Sequence, residues 1–329
     1  MTAPLAVALG DPSGVGPEVT AKAWERRNEA GMCPFFAVGS PEAVRAVWDG
    51  PLEVVAGPDE AARCFASALP VIRIDTQGEP APGVPTLEGA RAALDALELA
   101  VGLTRSGASS GLVTGPVSKA QLYAVGFTHP GQTEFVAERC GVAAEMVAMM
   151  LAGPTLRTVP VTTHVALRDV PDLVTTELIV MRGRTVIRAL KRLFGIARPR
   201  LAVAGLNPHA GEGGALGREE IEIVAPAIER LRDEEADVTG PWAPDTMFHA
   251  AARATYDAAL CLYHDQALVP LKALHFEEGV NMTLGLPIVR TSPDHGTAFD
   301  IAGQDRARPG AMVAALRMAG ACAARLAAA

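Results

Sequence analysis

LAVALGDPSGVGPEV, Leu5 to Val19, decides how this chain is read. The apolar run is strand-like, and it passes directly into a turn with glycines at 10, 14 and 16. Glycines in such a turn allow positive φ and close backbone approach, and they aim the amides of the next helix at a ligand. An ordinary strand-to-helix turn uses the same glycines. The spacing is not that of G-x-G-x-x-G, and Pro12 and Pro17 make this turn stiffer than that motif.

Strand, turn and helix repeat outward from that point. FFAVG, LEVVA and VIRI follow before position 75, and GLVTG, LAVAG and AALCLYH come later. Amphipathic stretches lie between them, which predicts an α/β fold with a mainly parallel sheet. Thr86 is placed to cap a helix running to about Thr104, with Ala90, Leu94, Leu97 and Val101 on one side. Further helices are expected from Thr133 to Cys140, stopped by Gly141, from Glu177 to Phe194, from Glu219 to Glu234, and beyond Pro309. No internal repeat or long linker interrupts the pattern. The 329 residues suit two domains, expected as 1–126 with 288–329 and a central 127–287.

Aromatic residues make up 5% of the chain, so the core must be built from Ala, Val, Leu and Ile, as suits helices packed closely on a parallel sheet. A net charge of -8 gives no general attraction to nucleic acid or anionic membrane, and any anion recognition must be local. Cys33, Cys64, Cys140, Cys261 and Cys322 are dispersed and form no C-x-x-C pair, as in reduced core residues of a cytoplasmic protein. The start lacks a basic region, and Leu5 to Leu9 is far shorter than the roughly 18 residues of a membrane span.

Three histidines share one placement. His164 in TTHVALRDVP, His209 in GLNPHAGE and His264 in LYHDQALVPLK each follow or end an apolar strand-like run. Open α/β sheets carry their chemistry beyond the strand ends, and imidazole binds borderline divalent metals, so the repeated placement points to one metal site. Thr114 to Ala120, TGPVSKA, repeats the strand-turn-helix arrangement, with Ser118 and Lys119 at a helix start. Gln132-Thr133 offers another start, with Thr133 as cap. Lys272, Asn281 and Arg290 recur at equal intervals and supply two cations and an amide, suited to a doubly anionic substrate. Surface pairing with Glu277, Glu278 or Asp294 is the alternative for both cations. In SPDHGTAFDIAG, Asp294 and Asp300 can accept from ribose or adenine, and Gly296 leaves room for a planar group.

Together GDPSGVGPE, TGPVSKA, GQTEF, TTHVALRDVP, GLNPHAGE, PDTMF, YHDQALVPLK and GVNMTLGLPIVRTSPDHGTAFDIAG resemble the 4-hydroxythreonine-4-phosphate dehydrogenase family of pyridoxal phosphate biosynthesis, in order along essentially the whole chain. More distantly, GVGPEV and HGTAFDIAG look like segments of isopropylmalate and isocitrate dehydrogenases. The resemblance implies their two-domain fold, with the active site in the interdomain cleft. It further implies a divalent cation (Zn, Mg, Co or Mn) on His164, His209 and His264, and substrate on Gln132, Thr133, Lys272, Asn281 and Arg290. NAD or NADP is implied at Gly14, Gly16, Asp294, His295, Gly296, Thr297 and Asp300. Activity is implied to need a homodimer with ligands from both subunits. The family commonly has GHTE where this chain has Gln132, and glutamine cannot carry charge at neutral pH.

The implied reaction is oxidation of a phosphorylated β-hydroxy-α-amino acid, with Lys272, Asp265 or Asp245 taking the alcohol proton and the 3-oxo acid then losing carbon dioxide. Gln132 leaves open a sugar acid of threonate or erythronate 4-phosphate type. Acyl transfer to phosphate and a non-catalytic binding module are the rivals of other classes, and the first has no use for three convergent histidines.

Overall fold

The computed structural model describes residues 3–328. Two compact units form, Met1–Gly141 with Leu286–Ala329, and Val142–Gly285. Residues 127–141 therefore belong with the first unit. Phe127 and Phe135 stack there at 5.6 Å, and Gln132 bonds the Gly115 carbonyl, so side-chain packing carries the chain past the Gly126 turn before it leaves.

The first unit contains β1 (Leu5–Ala8), β2 (Phe35–Gly39), β3 (Leu52–Val54), β4 (Leu69–Arg73) and β5 (Leu112–Thr114). The second contains β6 (Ala148–Gly153), β7 (Leu156–Pro160), β8 (Arg200–Ala204), β9 (Asp237–Trp242), β10 (Ala258–Cys261) and β11 (Val280–Leu284), after which β12 (Arg290–Pro293) returns to the first. Strand order in the first unit is β3-β4-β2-β1-β5-β12, parallel at every pairing. In the second it is β11-β6-β7-β10-β8-β9. There β6 runs antiparallel to both neighbours, and the remaining pairs are parallel. Strands β1, β2, β5 and β10 are buried along their whole length, as apolar runs covered on both faces must be.

Local chemistry sets the helices. The Thr86 hydroxyl accepts from the Gly89 amide and caps a helix over Leu87–Arg105, whose buried side carries Ala90, Leu97 and Val101. Thr175 caps Thr176–Phe194 in the same way, and Gly195 closes it in the left-handed conformation at φ 69°. The stretch expected as one helix from Glu219 opens as a wider π turn over Glu220–Val224 and becomes α-helical from Ala225 to Arg232. The Gly310–Ala328 helix is long and apolar enough to cross a membrane by length and composition. It buries Met312, Ala315, Leu316 and Ala319, and its Ala315 carbonyl accepts from Thr291 of β12, as a core helix does.

The apolar stretch AAEMVAMMLAG, Ala143 to Gly153, packs largely within its own unit. Most of it is β6, and Met150, Leu151 and Ala152 are fully buried there.

Backbone crowding fixes the first turn. Gly10 has φ 79°, and a Cβ on it would stand 2.2 Å from the Pro116 carbonyl oxygen; one on Gly16 would stand 2.0 Å from that of Leu9. Thr86→Ala is expected to cost about 1 kcal/mol, an ordinary cap loss. Gly16→Ala, which drives a methyl into backbone, is expected to cost about 3 kcal/mol or more. Urea midpoints check both, and a Gly16→Ala protein as stable as wild type contradicts the crowding argument.

Candidate active site

In the first unit the substrate-class residues gather around Arg290. It sits on β12 beside β5 and is 3% exposed. Its guanidinium donates to the Thr114 hydroxyl at 2.7 Å and to the Thr133 hydroxyl at 3.3 Å. Burial pushes its pKa down to about 10, which still leaves it charged at neutral pH. The helix beside it spans Gln132–Arg139 and has Gly131 as its cap, so Thr133 lies in the first turn and does not cap it; the hydroxyl serves Arg290 instead. Gln132 uses its amide nitrogen on the Gly115 carbonyl at 3.1 Å. Ser118 caps Lys119–Ala124 through the Gln121 amide, and Lys119 is exposed near Gly131.

The glycine turn is closed by its own chain. Val15 donates to the Thr297 carbonyl at 2.9 Å, and a Cβ on Gly14 would stand 3.0 Å from that same oxygen. Gly14 and Gly16 thus serve backbone approach between the turn, the end of β1 and the SPDHGTAFDIAG loop. Asp11, 1% exposed, accepts from the Ser13 amide while burial raises its pKa. Behind the turn Glu18, also 1% exposed, accepts from Lys22 and from the Gly303 and Ala307 amides, and so ties the loop to the Gly16–Glu25 helix. Within the loop His295 bonds the Gly296 carbonyl through Nδ1 and has a buried Nε2 without a partner among the described residues. Gly296 faces open space, Asp294 is half-buried, and Asp300 is exposed.

In the second unit His164 and His264 come together, their ring centroids 5.3 Å apart. His264 opens the helix after β10, and its buried Nδ1 has no hydrogen-bond partner among the described residues. His164 is exposed and takes φ 55°, an uncommon conformation for a residue with a Cβ. His209 lies in the turn after β8 at φ 51°, exposed, with Nδ1 2.7 Å from Glu212 Oε1. Among the described residues no three His, Cys, Asp or Glu side chains converge as a metal-binding group, so His209 does not join the other pair within one chain. Asp265 and Asp245 are exposed, and Lys272 is half-buried with its ammonium 5.2 Å from the Phe276 ring centroid. Asn281 on β11 donates to Met149 Sδ.

Two buried side chains that the sequence did not single out hold these loops. Glu220 accepts from the Leu206 and Asn207 amides at 2.6 and 2.8 Å and from the Asn207 side chain at 3.0 Å, fixing the turn that carries His209. Gln266 accepts from the Leu262 amide and donates to the Gly205 carbonyl, joining the ends of β10 and β8 just before His264. Both lie on helical stretches, and local pattern gave no sign of their burial.

Residues 31–319 match the family described as pyridoxal phosphate biosynthetic protein PdxA. The chain belongs to the PdxA family. Among members, a 4-hydroxythreonine-4-phosphate dehydrogenase of Zymomonas mobilis is 58% identical over 96% of this chain and 94% of its own, and one of Erythrobacter litoralis is 54% identical over 98% and 97%. The crystal structure of the PdxA-family 4-hydroxythreonine-4-phosphate dehydrogenase of Klebsiella pneumoniae superposes with a TM-score of 0.87 at 36% identity, covering 98% of each chain. As a PdxA protein this chain is an oxidoreductase with their α/β fold.

Because burial opposes its charge, Arg290 weakens the folded state at neutral pH. Its folded pKa lies below the unfolded value, so above about pH 10 the unfolded chain holds more protons, and this residue's contribution to stability rises with pH there. Arg290→Met is therefore expected to unfold at the same urea midpoint as wild type or higher, while binding of a phosphorylated acid weakens at least about tenfold. Calorimetric titration reads the binding. A lower midpoint with unchanged affinity contradicts the assignment.

Proposed function

We propose that this protein oxidises 4-phosphohydroxy-L-threonine to 2-amino-3-oxo-4-phosphooxybutanoate with NAD or NADP as hydride acceptor, the product losing carbon dioxide to give 3-amino-2-oxopropyl phosphate. The observation that carries this reading is the 58% identity to a 4-hydroxythreonine-4-phosphate dehydrogenase along nearly the whole of both chains. The His164–His264 pair and the buried Arg290 supply matching chemistry.

A divalent cation suits the donors present. The buried His264 Nδ1 lacks a partner, a second imidazole lies beside it, and neutral imidazoles accept Zn, Co or Mn more readily than Mg. Bound there, the cation would supply Lewis acidity that polarises oxygens of the hydroxy acid. His209, exposed on its turn, is the third ligand we assign, contributed across a homodimer in which both subunits build each site.

The protein's own groups divide the remaining work. Arg290, held by Thr114 and Thr133, binds an anionic group of the substrate at a fixed angle, since a guanidinium donates from a rigid plane. Lys272, Asp265 or Asp245 takes the C3 hydroxyl proton, and a bound NAD or NADP would supply the acceptor for the hydride from C3. The bond from C2 to the carboxylate then breaks, carbon dioxide departs, and a proton returns to C2. For the cofactor, the loop holding Asp294, His295, Gly296, Thr297 and Asp300 offers open space over Gly296 and the unpartnered His295 Nε2, and Gly14 and Gly16 act by letting that loop approach. Gln132 supports a second reading, a threonate or erythronate 4-phosphate type acid, because this neutral amide stands where the family commonly has histidine.

NAD reduction measured over a panel of phosphorylated hydroxy acids, with and without chelator, tests the reaction. His264→Ala is expected to lose most bound metal and at least about a hundredfold in turnover with its fold intact. Full activity after metal depletion defeats the metal reading. Gln132→His is expected to keep kcat/KM on 4-phosphohydroxy-L-threonine within about tenfold, near 1.4 kcal/mol. A wild-type preference above roughly a hundredfold for the acid without the amine assigns the second substrate instead.

A further inference from the structure

The backbone from His209 to Gly213 coils in the left-handed sense, with φ angles of 51°, 54°, 80°, 45° and 64°, and Gly214 follows at 100°. Such a turn suits Gly211, Gly213 and Gly214. It is costly for His209, Ala210 and Glu212, whose Cβ atoms crowd the backbone there. Gly211 also needs the space, since a Cβ on it would stand 2.6 Å from Glu220 Oε2. At Glu212 the backbone conformation favours glycine, and a side chain is present all the same. Strained residues of this kind persist where the side chain serves a function.

The Glu212 carboxylate meets His209 one turn back, with Oε1 2.7 Å from Nδ1. Their side chains are 55% and 63% exposed, and an ion pair so open to water contributes little to stability. The contact does fix the imidazole. A carboxylate only accepts, so Nδ1 carries a proton, and in the neutral ring the lone pair then belongs to Nε2. Ring plane and free nitrogen are set together.

We propose that Glu212 is the positioning residue of His209, holding the ring so that Nε2 is the nitrogen presented to a divalent cation; this rests on His209 being a metal ligand, as proposed above. Imidazoles that bind metals usually donate from their other nitrogen to a carboxylate or carbonyl, which orients the ring and strengthens the donor. The strained turn is what brings such a carboxylate to His209. Glu220, accepting from the Leu206 and Asn207 amides, anchors the start of that turn.

The test is competition between cobalt(II)-loaded protein and a chelator, read by the visible absorbance of the bound cobalt. Urea midpoints are measured on the same proteins in excess chelator, so that metal binding does not enter them. Glu212→Gly is expected to lose about ten- to a hundredfold in cobalt affinity while its midpoint matches or exceeds that of wild type, because the carboxylate goes and the backbone strain is relieved. Glu212→Gln keeps an acceptor oxygen without the charge, and its affinity is expected between those of wild type and Glu212→Gly. It reads the same question should Glu212→Gly fold poorly. Unchanged affinity in both variants, or affinity that falls only in step with the midpoint, overturns the role of Glu212. His209→Ala separates this from the ligand reading: loss of cobalt in His209→Ala alone overturns only the role of Glu212, whereas wild-type affinity in His209→Ala overturns both.

Discussion

Two glycines pack against the carbonyl oxygen of Leu9, and the arrangement around the first turn depends on that close approach. Added Cβ atoms on Gly16 and Gly115 would stand 2.0 and 2.3 Å from it. No side chain can occupy those distances, so only glycine lets the ends of β1 and β5 meet. Gly115 then donates to the Ala8 carbonyl and Asp11 to that of Pro116, at 2.7 and 3.0 Å. The SPDHGTAFDIAG loop comes against the same turn through Thr297, and buried Glu18 holds its far end. A glycine turn that could have cradled a ligand by itself is occupied by the protein's own backbone. Its role in the fold is to position the loop.

Buried polar groups divide by how fully the protein satisfies them. Glu220 and Gln266 have their demands met by backbone amides and carbonyls, and they hold loops still. His264 Nδ1, His295 Nε2 and Asn281 Oδ1 are buried with no hydrogen-bond partner among the described residues, where native proteins satisfy most buried polar atoms. Arg290 lies between the two classes: hydroxyls fix its direction, yet burial still depresses its pKa, so an approaching anion meets a charge with little competing hydration. Membership of the PdxA family gives these sites a common context, because the motifs that carry them extend along nearly all of the matched region.

Much of this was legible in the sequence. The Leu5–Val19 unit, the Thr86 cap and the parallel order of apolar runs follow from spacings of a few residues. Of the strands that the pattern passed over, β7, β9, β11 and β12 carry polar residues within their runs, while β6 is apolar throughout. Their assignment comes from their partners. Gln132, Thr133 and Arg290 could be marked as one chemical class from the motifs, but not as direct neighbours.

By itself the sequence determined the fold class, the family and the types of ligand-bearing residues, because those depend on local periodicity and on long ordered motifs. Only the tertiary structure decided that His164 and His264 adjoin while His209 stands apart with Glu212. It also decided that Thr133 serves Arg290 instead of capping a helix, and that Asn281 donates to Met149. The physical reason is distance along the chain. Thr133 and Arg290 are 157 residues apart, and Met149 and Asn281 are 132. Contacts at such separation are set by strand order and register, and no local pattern encodes them.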